Sequence, residues 1–268
     1  MQGDPGARGA MTRDLKTLLA APDTTLGTWT QIAAPELVDL IALNGFGFTI
    51  IDCQHGPIGI GAAENLARAA DANGIAVALR VARNDPVEIM QALDAGIRQV
   101  VVPNIETADE AARAVAATRF GPQGLRGACP CCRSGGHFIR DWQAYVGAEE
   151  ARTGAIALVE TAEGHRNIAA ICATPGLTAL MIGPFDLSVS MGMQGDWRHP
   201  QVRRAVEEMA TAATAAGLPV MMPVFAPDPA ECREMIDAWR QAGVTTFVIG
   251  SDKIIIAEAF AGWTRALL

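Results

Sequence analysis

Eight short, β-rich apolar runs alternate with eight longer stretches of helical periodicity along this chain, and that alternation leaves few folds open. The runs are TLGTWTQ (25–31), FGFTIIDC (46–53), IAVALRV (75–81), IRQVVVPN (97–104), AIALVET (155–161), LTALMIGP (177–184), LPVMMPVF (218–225) and VTTFVIGS (244–251). Most are continuously apolar, as expected of parallel strands covered on both faces. Helical patterns occupy 34–43, 62–73, 86–95, 107–117, 163–173, 201–216, 229–242 and 253–267. In the sixth of these, Val202, Ala205, Val206, Met209, Ala212, Ala213 and Ala216 recur at three- and four-residue steps. Several helical stretches run into a glycine just before the next strand (Gly45, Gly74, Gly96, Gly217, Gly243), the left-handed cap of a helix end. Pro35, Pro86, Pro200 and Pro229 stand near helix starts, where a missing N–H costs little.

Eight strand–helix units predict an α/β fold of the (β/α)₈ TIM-barrel type. The alternative, an open doubly wound sheet, lacks the glycine-rich turn after its first strand. The expected division is a leader and first helix over 1–23, with Met1–Gly9 disordered, and one barrel over 24–268. One stretch breaks the rhythm: a Gly-, Cys- and Arg-rich insertion from Phe120 to Thr153, of a length that is usually functional or touches a partner.

Half of the 268 residues are hydrophobic and 19% are charged, enough to bury a sizeable core. The net charge of −8 argues against a general polyanion binder such as a nucleic-acid protein. No apolar run is long enough to span a membrane, and the N-terminus lacks a signal-peptide stretch, so a cytoplasmic location with six reduced cysteines is expected.

In a barrel enzyme, chemistry gathers at the C-terminal ends of the strands. There the chain offers Asp52-Cys53-Gln54-His55, Arg80, Glu160, Gly183-Pro184-Phe185-Asp186 and Ser251-Asp252-Lys253. Two carboxylates, Glu160 and Asp186, suit a hard divalent ion; the alternative reading is that each caps a helix. His55 stands in a Gly/Pro-bounded turn as a candidate general base, against a purely structural role. Arg80 ends an apolar run and needs an anion, or a salt bridge to Asp52 or Glu160, and both can hold together. Asp94 reads locally as an ordinary residue near a helix end. Cys129-Pro130-Cys131-Cys132 lacks a second pair of zinc spacing and reads as incidental, with a metal or redox site as the lesser alternative.

IIDCQHGP, ALRVARNDP, GLRG, LVETAEG and IGPFDLS, in that order, resemble the HpcH/HpaI-type class II 4-hydroxy-2-oxo-acid aldolases from about Gly27 to Ile256. The resemblance implies a barrel of the phosphoenolpyruvate/pyruvate-domain type and reversible cleavage of a 4-hydroxy-2-oxo acid to pyruvate and an aldehyde. It implies His55 as base and Arg80 as stabiliser of the enolate. Glu160 and Asp186 become ligands of Mg²⁺, Mn²⁺ or Co²⁺, and the backbone at Phe185 and Asp186 a seat for the pyruvate carboxylate. Asp94 becomes a support for the histidine, met only in an oligomer, and a homohexamer with its last helix on a neighbour is implied. The chain departs from the pattern at Gln54, where glutamate is common, and at Leu158, where a substrate-touching glutamine is common.

Three rivals stay open at this point. A Schiff-base aldolase needs a desolvated lysine at the mouth, and the chain has only Lys16 and Lys253. A citrate-lyase-β-like acyl-CoA lyase needs basic groups for phosphates, and no clear cluster is visible. A catalytically silent barrel that binds an oxo acid is the third.

Overall fold

The computed structural model describes residues 14–226 and 228–268. Eight parallel strands close into a barrel in chain order: β1 (Thr25–Thr30), β2 (Phe48–Asp52), β3 (Ala76–Arg80), β4 (Gln99–Val102), β5 (Gly154–Val159), β6 (Leu177–Ile182), β7 (Val220–Val224) and β8 (Thr246–Ser251). β8 pairs back onto β1, which disposes of the open sheet. The helices are α1 (Leu15–Leu19), α2 (Pro35–Leu43), α3 (Ile60–Asn73), α4 (Pro86–Asp94), α5 (Ala108–Ala117), α6 (Trp142–Arg152), α7 (Ala162–Arg166), α8 (Ile168–Cys172), α9 (Pro184–Ser190), α10 (Pro200–Ala215), α11 (Pro229–Gln241) and α12 (Asp252–Leu267). The four prolines start α2, α4, α10 and α11, and Gly74 caps α3 with a φ of 69°. The leader expected at Met1–Gly9 lies outside the described residues.

Two layers of core result. One lies between barrel and helices, with Val38, Leu66, Ile89, Leu93, Val206 and Phe247 among its members. The other fills the barrel itself: Trp29, Phe48, Ile50, Ala76, Ala78, Val101, Ile156, Leu158, Ala179, Met181, Met221 and Val248. Leu15 and Leu19 of α1 belong to this inner layer and close the barrel floor. The Lys16 ammonium ties α1 down by donating to the carbonyls of Ala151 (3.1 Å) and Thr153 (2.8 Å), just before β5 begins.

The insertion follows α5 and precedes β5, so it sits at the N-terminal end of the strands, away from the mouth. It contains α6 and an aromatic cluster of Phe120, Trp142 and Tyr145. Two arginines dock it on the end of α4. Arg126, buried, donates to Asp94 (2.9 Å) and stacks over Phe120 (4.5 Å). Arg133 donates to the Ala95 carbonyl (2.7 Å) and to Asp71 (2.5 Å).

Candidate active site

Side chains alternate in and out along a strand, and the inward series of four strands ends in the polar residues of the mouth. On β2, Phe48 and Ile50 point into the barrel and Asp52 is next in phase. On β3, Ala76 and Ala78 lead to Arg80. On β5, Ile156 and Leu158 lead to Glu160. On β6, Ala179 and Met181 lead to Gly183. The period of two therefore delivers a carboxylate, a guanidinium, a second carboxylate and a gap onto one rim.

Asp52 and Arg80 are register partners on adjacent strands. Arg80 Nε donates to Asp52 Oδ1 (2.9 Å) and Nη2 to Oδ2 (2.8 Å), a two-point fork that fixes the guanidinium plane. Gln31 Nε2 adds a third hydrogen bond (2.8 Å), and the backbone N–H groups of Gln54 and His55 a fourth and fifth. Burial opposes ionisation of Asp52. The hydrogen bonds and charge of Arg80, with Gln31 and the His55 N–H, outweigh it and hold the carboxyl below its usual range. The guanidinium lies 4.3 Å above the Trp29 ring. Of the two partners left open for Arg80 by sequence, Asp52 is the one taken.

Glu160 is 4% exposed and accepts one hydrogen bond at Oε1, from the backbone N–H of Asn104 (3.1 Å). Asn104 turns at a φ of 53° just beyond β4. Burial first, and then the negative charge of Asp186, push the Glu160 carboxyl up to about 7, against the Asn104 N–H and the charge of Arg80. Gly183 makes room for it: a Cβ there would stand 2.7 Å from Glu160 Cβ and 2.8 Å from its Oε2. Asp186, in the first turn of α9, is exposed. Among the described residues no three His, Cys, Asp or Glu side chains gather at one point. The mouth thus offers two oxygen donors, one raised in pKa by its burial and then by the other's charge. That donor set fits a hard divalent cation.

His55 projects from the turn after β2 with an exposed ring that has no partner among the described residues, its backbone N–H accepted by Asp52 (3.2 Å). Asp94 ends α4 at the opposite end of the barrel, paired with Arg126, so the local reading of a helix-end residue describes it within this chain. Phe185 is 53% exposed, its ring beside Gly195. Gln54 is half-buried with an Oε1 that has no partner among the described residues. Leu158 forms the apolar layer directly under Glu160. Lys16 is sequestered at the barrel floor and Lys253 is exposed on the first turn of α12. Trp29, Gln31 and Asn104 are site residues that sequence reasoning missed. Trp29 and Gln31 were readable from the polar end of TLGTWTQ in the same inward phase, whereas Asn104 contributes only a backbone N–H.

A closed barrel with an anchored arginine and an acidic pair at its C-terminal mouth defines an enzyme of the (β/α)₈ class. The chain belongs to the HpcH/HpaI aldolase/citrate lyase family, whose description matches residues 25–255. It is 32% identical over 244 residues to a 5-keto-4-deoxy-D-glucarate aldolase of Klebsiella pneumoniae, covering 91% of this chain and 92% of the relative. A crystal structure of an HpcH/HpaI aldolase/citrate lyase family protein from Burkholderia cenocepacia superposes with a TM-score of 0.86 at 32% identity, over 94% of this chain and 98% of that one. The citrate synthase SbnG aligns at 27% identity with a TM-score of 0.84, over 94% and 96% of the two chains. The chain is a carbon–carbon lyase of the aldolase type.

Proposed function

We propose that the chain catalyses the reversible, divalent-metal-assisted cleavage of a 4-hydroxy-2-oxo acid to pyruvate and an aldehyde. The observation that carries this reading is the forked Asp52–Arg80 pair on the same rim as the Glu160–Asp186 carboxylates. Glu160 and Asp186 are the residues that would hold Mg²⁺, Mn²⁺ or Co²⁺. When bound, such an ion supplies Lewis-acid stabilisation of charge on an oxo-acid oxygen.

The chain's own residues do the rest. Arg80 spends Nε and one hydrogen of Nη2 on Asp52, and its Nη1 has no partner among the described residues. Nη1 donates to the keto oxygen as the C3–C4 electron pair moves to form the enolate. His55 takes the 4-hydroxyl proton in cleavage and returns it in addition. The Phe185 and Asp186 N–H groups, which have no intrahelical partner at the start of α9, bind the pyruvate carboxylate. Leu158 beneath the site contributes an apolar floor, and with Gln54 it sets the choice of aldehyde.

The assembled form is a homo-oligomer, read as a hexamer, in the cytoplasm. Phe260, Trp263 and Leu267 of α12 are 69%, 69% and 74% exposed. A cavity of about 710 Å³ opens beside α12, with Leu26, Phe46, Ile236 and Ile249 in its wall. An apolar helix standing beside an apolar slot fits association with a second copy. In such an assembly Asp94, remote from His55 in its own chain, serves the histidine of a neighbour.

The test is pyruvate release from 5-keto-4-deoxy-D-glucarate, the substrate named for the Klebsiella relative, followed by aldol addition of pyruvate to a panel of aldehydes. The expected result is turnover that stops in chelator, returns with Mg²⁺ or Mn²⁺ and resists borohydride. Chelator-insensitive turnover lost to borohydride with pyruvate present would overturn the metal route in favour of a Schiff base on Lys253.

A further inference from the structure

One cluster of nucleophilic side chains lies away from the mouth of its own barrel. Cys129, Cys131 and Cys132 fall within four residues of the segment between α5 and α6, on the N-terminal side of the barrel. Pro130 and Cys131 are the central residues of a turn that Cys129 and Cys132 bracket. We propose that Cys129 and Cys132 are a reversible thiol–disulfide pair, oxidised by a peroxide, and that this turn is a redox modification site of the enzyme.

The direction of the Cys132 thiol favours this pairing. A disulfide needs Cα atoms roughly 4.4–6.8 Å apart. Adjacent residues across a trans peptide stand only about 3.8 Å apart, which excludes Cys131 with Cys132. A turn brings its first and fourth Cα atoms within about 7 Å, which suits Cys129 with Cys132. The Cys132 thiol is already directed back over the turn, 3.3 Å from the Cys129 carbonyl oxygen, with the Ser134 hydroxyl 3.1 Å away. The turn is also pinned. The Ile139 N–H donates to the Pro130 carbonyl (2.8 Å), the His137 N–H donates to the Cys132 carbonyl (2.9 Å), and Arg133 clamps Asp71 and the Ala95 carbonyl.

Exposure selects it too. Cys129 and Cys131 are exposed and Cys132 is half-buried, whereas Cys172 and Cys232 are buried and Cys53 is half-buried against Asp52. Burial pushes the Cys53 and Cys172 thiols up to about 11 and raises Cys232 as well, so these three stay protonated and unreactive near neutral pH.

The chemistry balances with peroxide as the only co-reactant. The Cys129 thiolate attacks one peroxide oxygen; an S–O bond forms, the O–O bond breaks, and hydroxide leaves as water after taking a proton. The Cys132 sulfur then displaces the sulfenic oxygen; the S–S bond forms, the S–O bond breaks, and a second water carries off the Cys132 proton. Each sulfur is oxidised and the peroxide is reduced. A thiol reductant returns the pair, as expected of a cytosolic disulfide.

Trypsin cutting at Arg126 and Arg133 releases Gly127–Arg133 with all three cysteines, so one peptide reports the state. The full-length enzyme is treated with hydrogen peroxide, its remaining thiols are capped with a maleimide, and the peptide is weighed. The expected product has lost two hydrogens and carries one cap, and it reverts with dithiothreitol. Cys131→Ser keeps the bond; Cys129→Ser and Cys132→Ser abolish it with unchanged circular dichroism. A peptide that takes three caps after peroxide, a sulfinic acid, a chain-to-chain disulfide, or a bond that survives Cys132→Ser would each overturn the assignment. None of these outcomes depends on aldolase turnover.

Discussion

Arg80 is held in a plane by Asp52, Nε to Oδ1 at 2.9 Å and Nη2 to Oδ2 at 2.8 Å, with Asp52 fully buried. Asp52→Asn keeps the shape and removes the counter-charge. The expected outcome is a loss of about 3–5 kcal/mol in chemical unfolding, because a buried guanidinium is left unpaired. The Asp52 carboxyl sits below its unfolded value near 3.8. Its contribution is therefore complete above that value and is lost as pH falls through the lower, folded one. Acid unfolding of wild type should show that loss, and Asp52→Asn should not.

Glu160 behaves in the opposite sense. Its carboxyl is pushed from 4.5 to about 7, so the native metal-free protein binds a proton that the unfolded chain has released. Stability of the chelated protein is then highest below pH 4.5 as far as this group is concerned. It falls by about 3 kcal/mol as pH rises to 7, and is flat beyond. Differential scanning calorimetry in chelator, wild type against Glu160→Gln, checks this: the variant should lack that slope between pH 5 and 7. Saturating Mn²⁺ should erase the slope in wild type.

Gly183 shapes the cradle of Glu160 by lacking a side chain. Gly183→Ala forces the Glu160 carboxylate aside, since a Cβ would intrude to 2.8 Å from Oε2. Metal affinity, measured by Mn²⁺ titration, should weaken roughly 10–100-fold in a protein that remains folded, the usual cost of disturbing the groups around a ligand.

On α12, Phe260 and Trp263 face solvent in the single chain. Trp263→Glu should leave the circular dichroism of the barrel intact and shift the sedimentation coefficient toward that of the monomer. If Asp94 of a neighbour serves His55, turnover should fall with it.

The fold was legible because its logic is local. Buried parallel strands are continuous apolar runs, and seven of the eight sequence runs contain their strands, overshooting an end by one or two residues; the fifth run starts at Ala155, one residue after β5 begins at Gly154. The misses have physical causes. Residues 163–173 read as one helix, but the chain breaks at Asn167, between α7 and α8. α6 buries only Glu149, so it carries no apolar stripe to read. α9 is seven residues long and mostly polar or exposed. At the site, Asp52, Arg80 and Glu160 announced themselves by ending apolar strands. The space that Gly183 leaves and the Asn104 N–H did not, because their effect lies in close approach between neighbouring strand ends. The length of the insertion predicts a functional or partner-touching segment, and it docks on the side of its own barrel remote from the mouth through Arg126 and Arg133.

The central claim is that Glu160, Asp186 and Arg80 stabilise a pyruvate enolate. Exchange of the pyruvate methyl protons into D₂O, followed by NMR with no aldehyde present, tests it without knowledge of the natural substrate. The expected result is exchange that requires Mg²⁺ or Mn²⁺, vanishes in Glu160→Gln, and slows roughly 10²–10³-fold in Arg80→Ala, about 3–4 kcal/mol. Exchange at the wild-type rate in chelator, or in Arg80→Ala, would contradict it.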